Sequence, residues 1–97
     1  MREATYHPKV PGEARTILRH YESVSVSLGD AFWKELLEAI EYARKFPERH
    51  HFDRTGLRRA NLKRFPIHFL FRVFPNRIRI TVIRHDRRDP DRGAGRQ

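Results

Sequence analysis

A chain of 97 residues, 38% of them hydrophobic, has room for one small domain and no second core, and folding can bury roughly two thirds of its unfolded surface. Twenty-one Lys and Arg against twelve Asp and Glu give a formal charge of +9, which favours a polyanion, an acidic protein or an acidic membrane surface as partner. The absence of cysteine excludes disulfide and thiolate chemistry; MREATYHPKV lacks an apolar core of signal-peptide length, and no apolar run nears the roughly 20 residues of a membrane span, so a soluble cytoplasmic protein is expected.

The first element is a short strand over Ala4 to His7, ended by Pro8, whose ring cannot donate a ladder hydrogen bond. From Pro11, suited to a first helical turn, Ala14, Ile17, Leu18 and Tyr21 recur with helical period, predicting a helix that ends near Ser23. SVSVS is ambiguous between strand and loop. SLGD then supplies a helix start, with Ser27 or Asp30 as N-cap. The second helix is predicted from about Ala31 to Phe46, with Trp33, Leu36, Leu37, Ile40 and Ala43 or Arg44 as its stripe, and Pro47 stops it. Joined by a short link, the two helices should form an antiparallel hairpin.

After the polar connector PERHHFDRTG come three strands, about Leu57 to Arg64, Ile67 to Phe74 and Arg77 to His85. Phe65-Pro66 makes the first turn. Pro75 cannot occupy a type I′ turn, so Phe74 to Arg77 forms a four-residue loop. Alternation of faces places Ile67, Phe69, Phe71 and Val73, Ile78, Ile80 and Val82, and Ala60 and Leu62 toward the helices. If Val73 lies opposite Ile78 and Arg64 opposite Ile67, the other face carries Arg59, Arg72 and Arg79 in one row, then Asn61, Leu70 and Thr81, then Lys63, His68 and Ile83, with His85 beyond. The fold class is α+β, β-α-α-β-β-β, a helical hairpin on one face of a small antiparallel sheet. Residues 1–90 form the domain and 91–97 a flexible basic tail.

Charge is concentrated in that sheet. Residues 1–53 carry eight basic and nine acidic side chains, net −1, and residues 54–97 carry thirteen and three, net +10. Like charges opposite each other on a sheet cost up to roughly 1 kcal/mol a pair, so the arginine row requires compensation from a bound anion or from solvent. The charge asymmetry favours the anion. His50, His51 and Asp53 have neither a cysteine nor an HExxH helix beside them and read as a solvated loop, so no metal or cofactor is expected. Neither helix is cationic enough for DNA recognition.

HYESVSVSLGDAFWKELLEAIEYARKFPE, GLRRANLKRFPIHFLFRV and ITVIRHDRRDP together resemble the ParE/RelE superfamily of bacterial type II toxins, the plasmid stabilisation proteins. The resemblance covers about residues 6 to 90. It rests on Tyr21-Glu22, Leu28-Gly29, Phe32, Phe46-Pro47, Leu57-Arg58-Arg59, Arg64-Phe65-Pro66, Phe69, Phe71, Arg72-Val73, and His85 followed by Arg87-Arg88. It implies a cognate acidic antitoxin as partner and either a homodimer or a toxin–antitoxin hetero-oligomer. RelE-like members resemble endoribonucleases that cut mRNA on the ribosome; ParE-like members poison DNA gyrase. On the ribonuclease reading His85, with His68 as the alternative, moves protons while Arg72 and Arg79 hold the phosphate. On either reading Arg59, Lys63, His68, Arg72, Arg79, Arg87 and Arg88 contact the target. Many RelE-like enzymes use a tyrosine near the carboxy terminus, which this chain lacks after Tyr42, and HDRRDP is closer to the ParE branch, so a gyrase inhibitor is expected.

Overall fold

The computed structural model describes residues 2–97. In chain order they form β1 (Glu3–Tyr6), α1 (Val10–Val24), α2 (Val26–Lys45), a 3-10 turn (Pro47–Arg49), β2 (Arg58–Asn61), β3 (Ile67–Val73) and β4 (Arg77–His85). The helical hairpin packs on one face of a four-stranded sheet ordered β1-β4-β3-β2. The expected α+β architecture is therefore present, with one difference. β1 runs parallel to β4, Glu3 opposite Arg77 through Tyr6 opposite Ile80, so the sheet is mixed. The last three strands form a meander, and the free edge of β4 is the one that β1 covers.

α1 buries Val10 and Ala14 and packs Ile17, Leu18 and Tyr21 against the core. SVSVS is neither strand nor loop. Helix runs through Val24, and Ser25 alone, extended at φ −163° and ψ 149°, separates α1 from α2. Its Oγ accepts the Leu28 N–H at 3.0 Å, so the N-cap is Ser25 rather than Ser27 or Asp30, and α2 starts five residues before Ala31. The β-branched valines on either side stay exposed; packing beyond them overrides their strand propensity. A Cβ at Gly29 would collide with the Glu22 side chain, so the bare Cα is what lets the helices close. That contact fixes the roll of α2. Phe32, Leu36, Ile40 and Ala43 point inward, while Trp33 and Leu37, expected in the stripe, are 40% and 52% exposed. Phe32 instead joins Tyr21 and Phe65, with ring centroids 4.9–5.6 Å apart.

Arg72 faces Arg79 and Val73 faces Ile78, as the alternation requires. Thr81 is then an extra residue: Phe71 pairs with Ile80 but Leu70 pairs with Val82, a β-bulge. Past it the faces exchange. Ile83 joins the helix-side core in place of Val82, which packs with Leu57 and Leu70 on the opposite face. β2 is also shorter than expected and pairs Arg59 with Leu70 and Asn61 with His68, two residues from the expected register. The strand stops because Leu62 and Phe65 turn into the core, closing a longer loop in which the Leu62 N–H donates to the Ile67 carbonyl at 2.9 Å.

Candidate anion-binding face

On the sheet face away from the helices, the paired strands β3 and β4 place Arg72 directly opposite Arg79. Arg72 Nη2 donates to the Arg96 carbonyl at 3.3 Å and Arg79 Nε to the Gln97 main-chain oxygen at 2.9 Å. Arg72 Nε is buried with no hydrogen-bond partner among the described residues. These acceptors belong to the segment expected as a flexible tail, which the structure places across this face in turns. Arg84 Nη1 holds the Pro90 and Arg92 carbonyls at 3.0 and 2.6 Å. Gly93, at φ +78°, presses on Val82 where a Cβ would clash. Arg96 Nη1 donates to Glu13 Oε2 at 2.8 Å and to the Thr81 carbonyl at 3.1 Å, tying the segment to α1.

The expected triple arginine row is reduced to a pair, because the shifted register carries Arg59 two residues along β3. There Arg59 meets Asp53 and Asp86 at 3.6 and 3.5 Å and donates to Asn61 Oδ1 at 2.8 Å. Beside it His68 is buried between opposite demands. Arg84 Nε donates to His68 Nε2 at 2.9 Å, and His68 Nδ1 lies 2.7 Å from Asp86 Oδ1. A guanidinium only donates, so Nε2 is bare and Nδ1 carries the proton toward Asp86: the ring is neutral and its tautomer is fixed. Burial pushes its pKa below the ordinary value; the Asp86 bond opposes the shift, and Arg59 and Arg84 reinforce it. Burial likewise lowers Arg84. For Asp53 burial acts upward but is outweighed by the Thr55 hydrogen bonds and by Arg84 and Arg59, leaving the carboxyl below its usual range.

A pH dependence follows. Unfolded histidine titrates near pH 6.5, and the folded His68 holds its proton only at lower pH. Between the two values the unfolded chain binds more protons, so stability is intact above about pH 6.5 and falls as pH drops toward the folded value, by at most about 1.4 kcal/mol per pH unit. Urea midpoints at pH 7.5 and 5.5 should therefore separate more in the native chain than in His68→Gln. Equal separations in the two proteins would remove His68 as the source.

The remaining candidates lie elsewhere. The bulge turns His85 to the helix side, opposite Ile67, where with Lys9, Gly12, Glu13 and Arg88 it lines a cavity of about 520 Å³ at the start of α1. His85 is thus not assembled with Arg72 and Arg79. Arg87 and Arg88 sit in the exposed turn after β4, and Lys63 lies beyond β2 beside Glu35. His50 packs edge-on to Phe71, and Asp53 accepts from Thr55. Sequence reasoning missed Arg84, Asp86, Glu13 and Arg96. Strict alternation put Arg84 with the helices, and no local pattern marks a bulge at Thr81.

No protein-family model matches the sequence, and no curated protein matches it. Among solved structures the chain is similar to a chain of the chromosomal ParDE TA system from P. aeruginosa, with a TM-score of 0.69 and 21% identity, over 88% of this chain and 96% of that one. The two share a fold. No helix among the described residues is long and apolar enough to cross a membrane.

Proposed function

We propose that the chain is the toxin of a type II toxin–antitoxin pair, acts in the cytoplasm on DNA gyrase, and is neutralised by a cognate acidic antitoxin. The observation that carries this reading is the fold it shares, over nearly the whole of both chains, with a chain of the ParDE system. The site geometry supports gyrase over mRNA cleavage. General acid–base catalysis needs a proton carrier within reach of the reacting group. His85 lies on the other side of the sheet from Arg72 and Arg79, and both ring nitrogens of His68 are engaged. What the open face offers is charge and donors, the equipment of a binding surface. For the antitoxin, α2 exposes Trp33 and Leu37 about one turn apart, and a separate groove of about 670 Å³ between α2 and β2 is lined by Glu35 and Glu38 as well as by Tyr42, Arg49, Arg59, Lys63 and Arg64. Exposed apolar anchors on α2, with four cations against two carboxylates in the groove, suit an acidic amphipathic segment that folds on contact.

The test pairs two assays. Purified protein should inhibit supercoiling by gyrase, and Arg72→Ala or Arg79→Ala should weaken inhibition by roughly tenfold, the loss of a hydrogen bond to a charged group. Primer extension on ribosome-bound mRNA after induction should show no new ends. New ends that vanish in His85→Gln, with supercoiling untouched, would establish the ribonuclease instead.

A further inference from the structure

Segment 89–97 occupies the open face, yet it is an incomplete ligand for it. The Arg96 carbonyl gives Arg72 an acceptor without charge, although Arg72 stands directly opposite a second guanidinium, that of Arg79. The Arg72 bond is long at 3.3 Å, and Arg72 Nε, buried, has no acceptor among the described residues. A carboxylate or phosphate adds the countercharge that a carbonyl lacks, and it can take two donors of the fork at once. The rest of the face describes the shape of the better occupant. Its floor is apolar, built from Leu57, Leu70 and Val82, and what lies on it is peptide backbone. The apolar side chains of this floor are all aliphatic and offer no ring to stack a base, the feature that sequence-tolerant binding of single-stranded nucleic acid uses.

We propose that residues 89–97 are a displaceable cover holding the place of an extended acidic peptide segment of the target, whose carboxylates take over Arg72 and Arg79. The inference rests on the reading of this face as the target-binding surface. Besides its bonds to Arg72 and Arg79 the cover is fastened at four points: Arg54 on Asp91, Arg84 on the Pro90 and Arg92 carbonyls, Gly93 on Val82, and Arg96 on Glu13 and the Thr81 carbonyl. Two of these are open to substitution without touching Arg72 or Arg79. Gly93→Ala forces the cover off Val82, and Arg96→Ala removes the clasp while leaving the backbone free to follow.

The probe is a fluorescein-labelled decapeptide of alternating Glu and Ala, with a decamer of single-stranded DNA beside it, titrated into the full-length chain at low salt. Gly93→Ala and Arg96→Ala should each bind the peptide about tenfold more tightly than the native chain and exchange the Arg92, Ala94 and Arg96 amides, which now donate to Asp89, Asp91 and Gly93, at least tenfold faster. Excess peptide should relieve gyrase inhibition. Faster exchange with unchanged peptide affinity in both variants overturns the cover. So does a larger gain for the DNA than for the peptide, or peptide binding that leaves inhibition intact. Native and variant chains that all ignore the peptide, together with an Arg72→Ala protein that inhibits gyrase as well as native, overturn the target-binding face itself, and the cover with it.

Discussion

Phe32→Ala is expected to lower the free energy of unfolding by about 3–5 kcal/mol, and Trp33→Ala, one residue along the same helix, by less than about 1 kcal/mol. Phe32 is fully buried, with the Tyr21 and Phe65 rings 5.4 and 5.6 Å away, so truncation empties a volume that three elements enclose. Trp33 keeps 40% of its surface in water. Helical periodicity alone treats the two as neighbours on an apolar arc. Chemical denaturation of both variants therefore measures the roll of α2 that Gly29 imposes. On the proposed function, Trp33→Ala should in turn weaken binding of the antitoxin by tenfold or more, as the loss of an aromatic interface anchor does. A Trp33 variant that unfolds while the Phe32 variant survives would reverse the assignment of faces.

Replacing Arg84 by Met should cost about 3 kcal/mol, although the apolar side chain keeps most of the volume. Arg84 is 4% exposed and donates to His68 Nε2 and to two carbonyls of the covering segment. Without it a buried ring nitrogen has no donor, and the Pro90 and Arg92 carbonyls lose their anchor. The variant also has a spectroscopic signature. With the adjacent cation gone and Asp86 still 2.7 Å from Nδ1, the His68 pKa should rise, which histidine ring NMR reads directly. The acid-dependent loss of stability attributed to His68 should shrink in parallel. A stability loss with no movement of the His68 titration would mean that packing, rather than the hydrogen bond to the ring, is what Arg84 contributes. The double variant with His68→Gln should lose less than the sum of the two single changes, because both break the same bond.

Much of this protein was determined by sequence alone, for local reasons. Pro8 and Pro47 stop elements because a ring replaces the N–H; apolar spacing at three and four residues announces two helices, and spacing at two announces three strands. Element order and the α+β class follow, as does the pairing of Arg72 with Arg79, which depends only on the hairpin at Pro75. Tertiary structure decided the rest. The link between the helices shrank to Ser25 because Gly29 needed contact with Glu22, a requirement set by a partner helix and invisible in local propensity. Thr81 bulges out, and a single inserted residue reverses every face beyond it, since side chains alternate with period two. That one residue moved His85 to the helices and Arg84 to His68, so it decided which charged groups meet. The covering segment lay furthest from sequence reasoning, because main-chain oxygens of any residue can serve an arginine and only Gly93, pressed against Val82, records in its identity that the backbone must pass so close.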